Sequence, residues 1–213
     1  SKPPIDTPVH EDCAAAVRSA AALLADLGHD VFDATPPWGE NELIDAFLVV
    51  WQVSATLYPI DPKYFTALNR GLVEEARRTS AEEYANAAMR LLETARRIVG
   101  FWSEVDIVLT PTLALPPVPI GWQHEGVDLA IEQLRRNTVF TPFTAVANLT
   151  GLPAMSLPLH RSSEGLPIGV QAIGGPAGEA QLIRLASQLE AARPWSVDRP
   201  PVFLAHEKRR PDR

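Results

Sequence analysis

The side chains able to do covalent or acid–base chemistry are dispersed along this chain. The five histidines (His10, His29, His124, His160 and His206) each stand alone. With no C-x-x-C or H-x-x-x-H pair, the spacing that grips a metal is missing, and a lone His is ordinarily a surface or hydrogen-bonded residue. Neither a metal nor a cofactor is expected. A nucleophilic Ser needs a base beside it and a strained turn to expose it. Ser156 lies within "AMSLPL" with no flanking glycine, and the adjacent pair Ser162 and Ser163 falls in the turn-rich "HRSSEG" with no base near it in sequence. The lysines are Lys2, Lys63 and Lys208, and the single cysteine, Cys13, reads as a small packing residue on an Ala-rich helix. A dispersed Ser-His-Asp triad can be drawn on paper for any chain, and no spacing here favours one.

One stretch has the order of an anion site. "GVQAIGGPAGEAQLI" runs strand, Gly-rich turn, helix, the arrangement in which backbone amides cradle a phosphate. It lacks a P-loop Lys and the spacing of a dinucleotide fingerprint. Glu179 in the first turn of the helix places a carboxylate where the phosphate would sit. A tight strand-to-helix crossover is the better reading.

Bulk properties narrow the classes. The 213 residues fit one large domain or part of a larger one, and 46% hydrophobic with 21% charged residues is the balance of a globular protein. A net charge of -7 and a pI near 5.2 argue against nucleic acid as a partner, which needs a clustered basic surface. The Arg pairs 77–78, 96–97 and 135–136 sit in helical contexts near Glu and read as solvated faces. One cysteine cannot form an intramolecular disulfide, which points to a reducing compartment, the cytoplasm. The longest apolar run, "AFLVVW" from Ala46, is far short of the roughly 20 residues of a spanning helix. No secretory leader opens the chain and no membrane association is expected. "SKPPIDTPVH" reads like the middle of a longer protein.

The elements that would position any site follow from pattern. Thr7–Pro8 predicts a helix start, with Gly28 behind its end and "HDVF" as a strand after it. "NELIDAFLVVWQVSATL" predicts a largely buried helix. Ser80 and Glu83 have capping-box spacing, and behind them Tyr84, Ala88, Leu91, Ala95, Ile98 and Trp102 form an apolar stripe read as core. "DIVLTPT" predicts a strand ending at Pro111, and the Pro-rich "LALPPVPIGW" an extended loop. A further helix precedes "FTPFTAVANLTG". The strands "AMSLPL" and "IGVQAIG" follow, joined by a turn, and then the helix "EAQLIRLASQLEAA". The fold class is α/β in a single domain spanning 1–213, with residues 1–7 and 200–213 expected to be poorly ordered.

Together "NLTGLPAMSLPL" from Asn148, "GLPIGVQAIG" from Gly165, Glu179 and "LASQLEAARPW" resemble the C-terminal part of the amidase signature family. "DIVLTPT" is similar to that family's D-x-x-L-x-P-T strand, and "PVHEDCAAAVRSAAALLADLGHDV" to its unit in which a helix ends at Leu-Gly-His. The "SLPL" and "QLEAARPW" wording is most similar to the branch of cyclic-dimer and aryl-amide hydrolases. The resemblance implies part of the amidase-signature fold, a mixed β-sheet core flanked by helices and lacking its N-terminal half. It implies hydrolysis of a carboxamide (a C–N bond other than a peptide bond) by a Ser nucleophile, a second Ser in a cis peptide and a Lys. Those three belong to the family's N-terminal half, so no catalytic residue is carried over to this chain.

What does carry over is framework and pocket. The resemblance places Gly151 and Pro153 at the entry to a strand, and Gly165, Pro167, Gly169 and Gln171 in a hairpin, with Gln171 tying down backbone. Thr141 falls where the glutamine-amidotransferase branch places an Asp for its substrate's amino group. A Thr there points to a neutral or aromatic small-molecule amide rather than glutamine. Trp51, Thr141 and Phe143 are the candidate substrate-binding residues, with core packing the competing reading for both aromatics. Three functions compete: an amidase portion inactive without the N-terminal half of the same fold, a non-catalytic binding or assembly module on an amidase-derived scaffold, and an independent hydrolase with a dispersed triad. A homo-oligomer is left open.

Overall fold

Alternation of apolar and polar residues builds a small sheet whose two faces go to different cores. In the computed structural model, which describes residues 2–38, 42–57 and 59–198, β1 (Ile107–Pro111), β2 (Ala154–Arg161) and β3 (Pro167–Gly174) pair antiparallel in the order β1-β3-β2. Successive side chains of a strand point to opposite faces. Leu157, Leu159, Ile168, Val170 and Ala172 therefore pack on one side against α1 (Glu11–Asp26) and α7 (Glu179–Ala192). Val108 and Ile173 pack on the other, with Ile98, Val146 and Leu152.

Local chemistry sets the joints. β2 carries one residue more than β3 between the pairs Leu157↔Val170 and His160↔Ile168, a bulge at Pro158, whose ring nitrogen has no hydrogen for the ladder. Gly151, at φ +69°, ends α6 (Thr144–Thr150) in the left-handed conformation and turns the chain into β2. Gly169 is required for closeness: a Cβ there would lie 2.6 Å from Ser156 Oγ and 2.8 Å from Thr112 Oγ1.

A helical layer covers the second face of the sheet. It comprises α2 (Glu42–Ser54), α3 (Ala67–Ala76), α4 (Ala81–Gly100), α5 (Ala130–Phe140) and α6. Ser80 caps α4 as its spacing predicts, accepting the Glu83 N–H at 3.0 Å. Leu91 and Ile98 of the expected stripe are buried, while Tyr84 at its outer end is exposed. The Arg pairs lie on the outer helix faces: Arg135 pairs with Asp45 at 2.7 Å, and Arg136 stacks over the Trp122 ring, pinning the Pro-rich loop. No helix among the described residues is long and apolar enough to cross a membrane.

Four expectations need correction. Helix α1 is capped by His10, whose Nδ1 accepts the Asp12 N–H at 3.2 Å, and does not start at Thr7–Pro8. The cause is a tether: the His10 N–H donates to the Ala114 carbonyl at 2.8 Å, and His10 itself is extended. "HDVF" is not a strand. Residues 29–32 have no regular structure and Phe32 is exposed, because strand propensity without a partner's ladder forms nothing. Residues 2–7 are not frayed: the Trp38 indole donates to the Lys2 carbonyl at 3.0 Å, and Pro4 and Thr7 are buried. The expected tail 200–213 lies outside the described residues. Finally, α2 is buried along only part of its surface: Ala46, Leu48 and Gln52 face inward, whereas Trp51 is 44% exposed.

Leu189 of α7 has no exposed surface, so Leu189→Ala is expected to cost about 2–5 kcal/mol of stability. Ser80→Ala, which removes the α4 cap, is expected to cost about 1 kcal/mol. Denaturant midpoints read at unchanged m-value check both.

Candidate functional site: an uncharged cavity between the helices

The turn joining α5 to α6 is where the sheet and the helical layer meet. Gln171 projects from β3 into this junction, 4% exposed, and its Nε2 donates to Thr110 Oγ1 at 3.1 Å and to the Phe143 carbonyl at 3.2 Å. It ties down backbone, as the sequence suggests. Two residues before Phe143, Thr141 closes α5: its N–H and its Oγ1–H both donate to the Asn137 carbonyl at 2.9 Å. Its peptide carbonyl in turn accepts from Thr144 Oγ1 at 3.1 Å.

In front of that turn is a cavity of about 220 Å³. Phe47 and Trp51 of α2, Leu91 and Ile98 of α4, and Thr141 with Asn148 form much of its wall, and among the described residues no side chain lining it is charged. Phe47 and Trp51 stack at 5.0 Å between ring centroids, tilted by 54°. The structure thus brings Trp51 and Thr141 to one cavity although ninety positions separate them. Phe143 does not join them. Its ring has no exposed surface, and its carbonyl is taken by Gln171, so it stands behind the wall. For Phe143 the packing alternative describes its position.

Sequence reasoning missed Asn137. It lines the cavity from the last turn of α5, and its Oδ1 is one of two buried side-chain oxygens among the described residues without a hydrogen-bond partner, the other being Thr7 Oγ1. An unpaired buried carbonyl costs about 1–3 kcal/mol. No periodicity flags an Asn at a helix end; only the three-dimensional neighbourhood does.

Several hydroxyls and imidazoles are engaged structurally. Ser156 Oγ lies 2.7 Å from Thr112 Oγ1. Ser162 Oγ accepts the Glu164 and Leu166 N–H groups and so braces the hairpin turn. Ser163 donates to Asp12 at 3.4 Å rather than to a base, and His10, beside Asp12, is occupied as the α1 cap. His29 pairs with Gln188 and His124 with Gln133. Among the described residues no three His, Cys, Asp or Glu side chains converge as a metal site would require. Gly178 and Glu179 begin α7 as the crossover reading expects, with the acid in the first turn. Cys13 is 1% exposed, and burial, with the Asp12 charge adding to it, raises its thiol from 9.0 to about 11.

The chain belongs to the Amidase family, whose family model matches residues 2–183. It is 34% identical over 187 residues to AmiC of Mycobacterium tuberculosis, a protein named as a proposed amidase, covering 83% of this chain and 39% of that one. It is 31% identical over 220 residues to the 6-aminohexanoate-cyclic-dimer hydrolase of a Pseudomonas species, covering 95% of this chain and 45% of the relative. The solved structure of 6-aminohexanoate cyclic dimer hydrolase complexed with substrate superposes with a TM-score of 0.79 at 29% identity, over 92% of this chain and 44% of that one. A bacterial aryl acylamidase of the amidase signature family shares the fold, with a TM-score of 0.65 at 21% identity. The chain therefore spans about two fifths of the length of the relatives it matches.

Two measurements check this geometry. Gln171→Leu removes the donor to Thr110 Oγ1 and leaves the Phe143 carbonyl with only the long bond from the Val146 N–H at 3.3 Å, and is expected to cost about 1–3 kcal/mol, read by denaturant unfolding. Cys13 is expected to be silent to thiol reagents in the folded protein at mildly alkaline pH and to react once denatured. Its folded pKa lies above the unfolded one, so between pH 9.0 and about 11 the unfolded state binds fewer protons. Stability contributed by this group accordingly falls as pH rises through that window.

Proposed function

We propose that this chain is the C-terminal portion of an amidase that hydrolyses a neutral carboxamide, with the attacking Ser, the cis-peptide Ser and the Lys supplied by the N-terminal half of the same fold. The observation that carries the reading is the family match over residues 2–183 combined with a cavity that no charged side chain lines among the described residues. The hydroxyls of Ser156, Ser162 and Ser163 are engaged in turns and a sheet contact, which supports a nucleophile from elsewhere. In this reading the chain supplies walls: Trp51 for the apolar part of the substrate, and Thr141 where a charged-substrate enzyme would need an acid. Phe143 acts indirectly, holding the turn that presents Thr141. The scaffold-module alternative has no specific observation in its favour.

The test is turnover by the protein encoded by the complete reading frame, compared with this chain alone. The full protein is expected to release amine or ammonia from neutral amides and to be labelled by a serine-reactive phosphonate, and this chain alone to do neither. A chain that cleaves amides by itself, and loses that ability when one of its own serines is replaced, overturns the proposal. In the full protein Trp51→Ala is expected to shift the ratio of kcat/KM between aryl and small amides by about tenfold or more, the scale of ~1–3 kcal/mol of apolar contact. Thr141→Asp is expected to favour amides bearing an amino group. Equal losses on every substrate would remove both residues from the pocket.

A further inference from the structure

The helical layer covers β1 and β3 but stops short of β2. On the sheet face that it covers, Val108, Thr110, Gln171 and Ile173 are buried. On β2 the residues of that face, Ala154, Ser156 and Pro158, are exposed, while Leu157 and Leu159 between and beyond them are buried against α1 and α7. All three are small, so another backbone could approach this strand closely. Ser156 lies opposite Gln171 in the ladder, and its hydroxyl meets that of Thr112 at 2.7 Å across Gly169. Two hydroxyls bring two hydrogens, and their mutual contact uses one. Neither has another hydrogen-bond partner among the described residues.

Resting on the amidase reading above, we propose that the N-terminal half of the fold seats on this face of β2, and that Thr112 and Ser156 are positioning residues whose hydroxyls bond to the backbone of its serine-bearing segment. Two observations favour this occupant. The chain superposes on the solved cyclic-dimer hydrolase over 92% of itself but only 44% of that protein, so more than half of such a fold has still to pack against it. A nucleophile supplied from there has to reach the cavity in front of the Thr141 turn. Gln171 holds that turn through the Phe143 carbonyl, and Ser156 is its direct cross-strand neighbour, about 5 Å away between Cα atoms in a ladder of this kind. A segment gripped at Ser156 therefore lies one strand from the residue that sets the cavity wall. The chemistry of the seat selects a backbone: small side chains admit it, and a free hydroxyl hydrogen with open lone pairs can meet its carbonyl and N–H groups. Neither hydroxyl attacks substrate in this scheme. Both act through the segment that they hold.

Two measurements on the protein encoded by the complete reading frame test this. The first is accessibility. In Ser156→Cys the new thiol is expected to react with a maleimide about tenfold or more slowly in the folded protein than after unfolding in denaturant, with the labelled peptide identified by mass spectrometry. Reaction at the unfolded rate overturns the seat. Protection that disappears on dilution assigns the face to a second copy of the chain and also overturns it. The second measurement is kinetic. Ser156→Ala and Thr112→Val are expected to lower kcat and the rate of phosphonate labelling together, about tenfold or more, with KM and the unfolding midpoint little changed. Thr112→Ser, which keeps the hydroxyl, is expected to restore most of kcat. A lowered midpoint with kcat and labelling unchanged makes the pair a purely structural contact and overturns the positioning role. Should the complete protein hydrolyse no amide, the reaction assignment falls by itself, and a protected thiol in Ser156→Cys still upholds the seat.

Discussion

A single buried carboxamide holds the sheet and the helical layer in register. Gln171 sits in the middle of β3 with both hydrogens of its Nε2 committed, one to Thr110 on β1 and one to the Phe143 carbonyl on the α5–α6 turn. Thr110 passes its own hydrogen on to the Pro111 carbonyl at 2.9 Å. Buried polar networks of this kind stabilise only when every member is satisfied, and a missing partner costs more than the bond contributes. Fixing the Phe143 peptide fixes its neighbours on both sides: Thr141, which ends α5, and Thr144, which begins α6. Both line the 220 Å³ cavity. The position of the cavity wall is thus set by a sheet residue that itself stands behind it.

The same logic explains the Gly and Pro content of the sheet region. Each marks a place where backbone must turn or approach closely, and each leaves the chemistry to others. Gly151 supplies a left-handed helix end, Gly169 makes room for the Thr112–Ser156 hydroxyl contact, and Pro158 forces the bulge in β2. Such residues determine geometry and carry no reactive groups, so the segment can be specific in sequence and inert in chemistry.

Much of this was legible before any coordinates. The Ser80 cap and the inner part of the α4 stripe, the β1 strand with Pro111 at its end, the hairpin, and the acidic start of α7 all follow from short-range signals that tertiary contacts reinforce. The failures share one cause, dependence on a distant partner. Thr7 has the right chemistry for a cap, but the Ala114 carbonyl takes the His10 N–H and moves the helix start. "HDVF" has strand propensity but meets no ladder. At the site, Trp51 and Thr141 were reachable through pattern and resemblance. Asn137 was not, because an unpaired oxygen is a property of its surroundings and leaves no mark on the sequence.

Helix α2 shows how a site can be read from a conflict between levels. Its sequence is apolar nearly all round, the pattern of a helix with neighbours on every side, yet Trp51 remains 44% exposed. Burial of aromatic area contributes about 25 cal/mol per Å², so a helix that leaves it in water forgoes stability that burial would add. Phe47 and Trp51 stack on one another along this side of α2, and both border the 220 Å³ cavity. The surface that the fold leaves uncovered is therefore apolar, and it adjoins Asn137, whose buried Oδ1 lacks a donor among the described residues.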